Sequence, residues 1–159
     1  MIFNFELDFA GSLRCIPLAV RFNLDHCGIK LSLKQWNRFS HEEKVDLVER
    51  LCSTEEEIAR YRTLVVALIR ERSGEEPDEI AVEASPAWAD LSGVPSRLET
   101  YVRDLGMTPP SLALWRRLSP LQRFALYKLT RPGHKNENLV PALDEFNLTA
   151  SPPRRASRR

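Results

Sequence analysis

Two stretches of this chain repeat one another at an offset of 78 or 79 residues, and the positions that recur are those that start and stop helices. The first stretch runs from Ile16 to Leu51 and the second from Val94 to Leu129. Pro17 and Gly28 stand eleven residues apart, as do Pro95 and Gly106. After one inserted residue in the second copy, Trp36, Phe39, Ser40, Lys44 and Leu47 align with Trp115, Leu118, Ser119, Arg123 and Leu126. A proline, a glycine, a tryptophan and a capping serine kept in register read as an internal duplication.

Each landmark has a local physical role. Proline suits the first turn of a helix, where its missing N–H is not needed. Glycine suits the residue just past a helix, where a left-handed backbone ends it. Pro17–Cys27 and Pro95–Leu105 therefore read as three-turn helices. A short helix carrying the tryptophan follows in each copy, at about Leu33–Phe39 and Ser111–Leu118. The third helix opens on a capping box, Ser40-His-Glu-Glu43 in one copy and Ser119-Pro-Leu-Gln122 in the other. A further box, Thr54 to Glu57, opens the longest helix, which runs to about Ser73. There Ile58, Tyr61, Val65, Leu68 and Ile69 follow helical spacing, and the dense apolar run predicts burial on most sides. The expected fold is all-α: an internally duplicated three-helix unit, at about 16–51 and 94–130, around a longer central helix at about 54–73. Residues 1–148 are expected to form a single helical domain.

Outside the repeat the pattern changes. Residues 74–93 read as a linker, with an acidic turn at Glu75–Glu79, a short extended piece at Ile80–Val82, and Trp88 pinned to the core. Phe3, Phe5, Leu7 and Phe9 alternate with polar residues, which predicts an extended strip with its phenylalanines inward. Residues 149–159, with Arg154, Arg155, Arg158 and Arg159, read as a disordered basic tail.

Charge and composition exclude several classes. Lys and Arg number 23 against 22 Asp and Glu, and without the four tail arginines the balance is 19 to 22. A mildly acidic folded part is a poor surface for nucleic acid phosphates, and a third helix bearing Glu42, Glu43, Asp46 and Glu49 argues against helix-turn-helix binding. The longest purely apolar run, Leu64–Ile69, is far short of the roughly 20 residues that span a bilayer. No basic region precedes an apolar stretch at the N-terminus, so no secretory signal is read. Three irregularly spaced cysteines, Cys15, Cys27 and Cys52, do not form a disulfide framework. The expected setting is cytoplasmic, with reduced thiols.

Candidate chemistry is sparse. No metal-ligand pairing of the HxxxH or CxxC kind occurs, no GxSxG elbow, and no glycine-rich loop ahead of a helix. No cofactor is indicated. Cys15 and Cys27 flank the first repeat helix beside His26, which makes them the candidate thiol or metal site, though free cysteine is more often a small core hydrophobe. The polar stretch after the second repeat, Arg131 to Asn138, follows a strongly apolar helix. Its donors Arg131, His134, Lys135, Asn136 and Asn138 make it the candidate partner-contact loop.

The stretches SLRCIPLAVRFNLDHCGIKL, QWNRFS and SPLQRFALYKLTRPGHKNENLVPALDEF resemble the nitrate reductase-associated protein family, a group of small bacterial proteins. The resemblance covers about Phe3 to Phe146. Matching positions include Arg14, Cys15, Cys27, Trp36, Arg131, His134, Lys135 and Asn138. It implies a non-catalytic accessory or assembly role supporting molybdenum-dependent nitrate reductase in nitrate assimilation, with the reductase or its maturation machinery as partner. The alternatives are a small metal- or cofactor-binding protein using Cys15, Cys27 and His26, and a nucleic-acid-binding regulator.

Overall fold

The computed structural model describes residues 1–50, 52–132 and 136–149. His134, Lys135 and the basic tail from 150 onward lie outside the described residues. The described chain is mostly helical, with a two-stranded antiparallel ribbon, and separates into two compact units, Met1–Ala84 and Ser85–Arg159.

The first unit begins with a 3-10 turn at Asn4–Glu6 and a helical turn α1 at Leu7–Ala10. The expectation of an extended strip is thereby corrected. Phe3, Glu6 and Ala10 face inward at helical spacing, while Leu7 and Phe9 are exposed. The cause is Glu6, which is 0% exposed. Its carboxylate accepts the N–H of Phe3 at 3.1 Å and that of Leu18 at 2.8 Å, which closes the turn. Leu18 opens α2 (Leu18–Cys27). Pro17 sits one position before that helix, as its N-cap, and proline has no side chain that can cap. Glu6 satisfies the first orphan donor instead.

Gly28 ends α2 at φ +71°, and β1 (Ile29–Lys30) follows. Next come α3 (Leu33–Trp36), capped by Ser32, and α4 (His41–Glu49), capped by Ser40 and Glu43. Thr54 and Glu57 then open α5 (Glu55–Ser73), which Gly74 ends with a left-handed residue. α5 packs on α2 and α3. Tyr61, Val65, Leu68 and Ile69 are its buried stripe, while Glu55, Glu56, Arg60, Arg70, Glu71 and Arg72 are exposed. Burial on one face replaces the expected burial on most sides, because the apolar run is flanked by charge. β2 (Asp78–Glu79) returns to pair with β1, Ile29 opposite Glu79 and Lys30 opposite Asp78.

The second unit starts with a 3-10 turn at Ala87–Ala89, whose Trp88 packs edge-on against Phe124 at 5.8 Å. α6 (Ser96–Asp104) follows Pro95. It closes with Gly106 at φ +74°, where the N–H of Met107 reaches the carbonyl of Val102 at 3.1 Å. α7 (Leu112–Arg117), capped by Ser111, carries Trp115. α8 (Pro120–Lys128), capped by Ser119 and Gln122, packs on the Trp88 turn, on α6 and on α9 (Leu139–Glu145).

The same order of devices thus occurs in both units, and it extends to a bond the spacing did not foretell. Trp36 is wholly buried, and its indole N–H donates to the carbonyl of Leu13 at 2.8 Å. Trp115 is wholly buried, and its indole N–H donates to the carbonyl of Asp90 at 3.0 Å. Each acceptor lies just ahead of its own repeat proline.

Candidate functional site

Two regions hold the residues singled out above. In the first unit, Cys27 closes α2 while Cys15 precedes it, half-buried. A helix of this length rises about 15 Å, so the structure does not bring the two thiols together. His26 turns back on its own helix, its Nδ1 2.7 Å from the carbonyl of Phe22, with the two rings 4.3 Å apart. Among the described residues no three His, Cys, Asp or Glu side chains are grouped so as to hold a metal ion.

The neighbour that Cys27 does share a core with is Cys52, beside Tyr61. The Tyr61 hydroxyl donates to the carbonyl of Leu47 at 3.0 Å, and the Asn23 amide to that of Arg50 at 3.1 Å. Burial pushes the Cys27 thiol up, and Cys52 is pushed up to about 11 by burial, with smaller contributions from Cys27 and Glu57. Burial likewise raises Tyr61. Thiols held protonated at neutral pH pack as small hydrophobes and are poor nucleophiles.

In the second unit, the candidate loop starts at the C-terminal end of α8. Arg131 is exposed, and Asn136 and Asn138 are half-buried. The Asn136 side-chain amide donates to the Arg131 carbonyl at 3.4 Å, and the Asn136 backbone carbonyl accepts the N–H of Leu139 at 3.2 Å. Asn138 occupies the N-cap position of α9 without a side-chain capping bond. The structure therefore joins Arg131 to Asn136 and sets Asn138 at a helix start.

Arg97, which sequence reasoning missed, belongs to the same end of α8. Its guanidinium lies 3.8 Å from the centre of the Tyr127 ring and donates to the Tyr127 carbonyl at 2.8 Å and the Thr130 hydroxyl at 3.2 Å. Lys128 lies over the Phe124 ring at 5.2 Å. Cations at a helix C-terminus complement its negative end. The only advance signal was Lys128 in the last turn, since Arg97 lies 30 residues from Tyr127.

Arg123 was also missed as a buried group. It is 7% exposed and donates to the carbonyls of Trp88 at 3.1 Å and Leu118 at 2.5 Å. Burial lowers the affinity of its guanidinium for the proton. No carboxylate pairs with it among the described residues. Its partners are backbone oxygens, so it ties α8 to the Trp88 turn.

Charge divides unevenly between the units. Residues 1–84 hold 11 Lys and Arg against 16 Asp and Glu, and residues 85–159 hold 12 against 6. Helical caps, buried thiols and cations packed at helix ends describe a small, mostly helical protein. The chain belongs to the conserved nitrate reductase-associated protein family, which matches residues 2–146. No curated protein and no solved structure matches it. The family name records an association with nitrate reductase, and among the described residues no helix is long and apolar enough to cross a membrane.

Proposed function

We propose that this protein is a non-catalytic cytoplasmic accessory that supports molybdenum-dependent nitrate reductase in nitrate assimilation by protein–protein contact. The reductase or its maturation machinery is the partner. The observation that carries this reading is the family match over residues 2–146. The contact surface is the Arg131–Asn138 loop, with Arg131, His134, Lys135, Asn136 and Asn138 as its donors. Arg97 and Lys128 at the adjoining end of α8 support that choice, since they add positive charge beside the loop. The recurring tryptophan-to-carbonyl bond supports reading the two units as products of a duplication.

Deleting the gene tests the function. The expected result is poor growth on nitrate with reductase protein present but inactive, and full reductase activity in the deletion strain would overturn the reading. The loop is tested by a full-length Arg131→Ala, Lys135→Ala double variant. It should lose co-purification with its partner while keeping its circular dichroism and melting temperature. Unchanged co-purification would remove the loop as the contact.

A further inference from the structure

We propose that the edge of β1, together with Lys34, Gln35, Arg62 and Arg70, is a docking site for an extended acidic segment of a partner protein. In this structure the chain's own residues Glu75–Ile80 occupy it. This surface is separate from the Arg131–Asn138 loop and does not depend on the function assigned to that loop.

The occupying segment contributes almost nothing to the core. From Gly74 to Ala84 every residue is exposed except the half-buried Pro77. Apolar burial is what ordinarily seats a segment, and here it is missing. Attachment is instead polar and backbone-borne. Glu75 accepts from the Gln35 amide at 2.8 Å and lies 3.7 Å from Lys34 Nζ. Glu76 takes a two-pronged contact from Arg70, with distances of 2.8 to 3.1 Å. Glu79 pairs with Arg62, which also donates to the carbonyl of Cys27 at 2.6 Å. The N–H of Ile80 donates to the carbonyl of Gly28 at 2.9 Å, extending the β1–β2 pairing.

The receiving surface, by contrast, is held by contacts of its own. Ile29 belongs to the first unit's core with Trp36 and Ile69, and the Gln35 side chain closes the α3 capping box by accepting the Ser32 N–H at 3.0 Å. Gly28 is left-handed, and a Cβ there would stand 2.9 Å from the Ile80 carbonyl oxygen, so this glycine admits the close approach of the segment. Strand addition to an open edge draws affinity from main-chain bonds and specificity from flanking side chains. Three carboxylates of the bound segment each meet a cation of the surface, and that pattern defines the occupant: extended, acidic and paired antiparallel to β1.

Exposed ion pairs of this kind contribute little individually, so the segment can open locally without unfolding α5. Tethering gives it a high effective concentration, so an incoming segment must compete with it. The arrangement is an internal mimic covering a binding edge.

The test uses the full chain with Glu75→Lys, Glu76→Lys and Glu79→Lys, probed with a labelled synthetic peptide of residues 74–83. The folded triple variant should bind this peptide more tightly than wild type by on the order of tenfold, the gain expected when a tethered competitor is removed. A scrambled peptide of the same composition should bind far more weakly, and adding Arg62→Gln should cut the binding severalfold. No binding, or equal binding of the scrambled peptide, overturns the proposal. Hydrogen exchange on the wild-type protein is independent of how the variant folds. The Ile80 amide should exchange well before the α5 amides, and exchange in step with them also overturns it.

Discussion

The two units share a frame and differ in what is fitted around it. In both, a proline precedes a helix that a left-handed glycine ends, a buried tryptophan bonds a carbonyl upstream, and a serine box opens the next helix. The left-handed glycines meet different surroundings. A Cβ at Gly28 would meet the backbone of Ile80, whereas nothing lies within 4 Å of the corresponding point at Gly106. The aligned cations differ as well. Lys44 sits over the Trp36 ring at 5.5 Å and is half-buried, while Arg123 is buried and tied to the Trp88 carbonyl. Shared positions hold helices in place, and the units diverge where each recruits its own extra segment: α5 and the acidic strand in the first, the Trp88 turn and α9 in the second.

The comparison breaks first at the tryptophans. Trp36→Ala and Trp115→Ala should each cost about 3–5 kcal/mol, the range for emptying a large aromatic site. Denaturant unfolding followed by circular dichroism measures both, and a cost confined to one of them would show that the frame is not shared. Next, Glu6→Ala should cost about 2–3 kcal/mol, because it strands two buried N–H donors that bonded a charged acceptor. A stability unchanged by this substitution would remove Glu6 as the bond that closes the N-terminal turn.

Arg123→Lys should cost about 1–3 kcal/mol by losing the two-pronged grip on backbone carbonyls, whereas Lys44→Arg should lie within about 0.5 kcal/mol of wild type. Equal effects would sink the claim that these aligned cations have diverged. Ser40→Ala and Ser119→Ala should cost about 1 kcal/mol each and match one another, since both caps bond the same backbone position.

The smallest effect concerns acid. In the first unit, Arg72 holds Glu43 below the usual carboxylate range, backbone amides of Ser53 and Thr54 hold Glu57 there, and Arg70 holds Glu76. In the second, Ser92 holds Asp90 down. A depressed folded value means that the unfolded chain takes up its proton first as pH falls. Stability from these groups is therefore complete above about pH 4.3, the free glutamate value, and declines below it. Urea midpoints that stay flat from pH 5 to pH 3 would contradict this, as would earlier loss in the second unit than in the first.

The parts of the fold legible in the sequence were the ones with short-range signatures. A serine and a glutamate three residues apart announce a capping box, and all three predicted boxes formed. Residues whose partners lie far along the chain were not legible. Glu6 looked like the solvent side of an alternating strip, and its acceptor role depends on Leu18, 12 residues on. Arg123 bonds a carbonyl 35 residues away, and a carbonyl carries no residue signature. The same blindness affected the sites. Cys15 and Cys27 looked like a pair in sequence, but the helix between them holds them apart, and Cys52 supplied the real neighbour. Arg131 was singled out because its loop is polar, while Arg97 reaches the end of α8 from a helix 30 residues earlier.

The buried indoles also give the molecule built-in optical reporters. Trp36 is the first unit's sole tryptophan, and Trp88 and Trp115 belong to the second. Exciting the Trp36→Phe protein therefore lights only the second unit, and exciting a Trp88→Phe, Trp115→Phe protein lights only the first. Emission from a dry, carbonyl-bonded indole shifts to the red once water reaches it. Two fluorescence melts would then show, without any attached dye, whether the units come apart together or in turn.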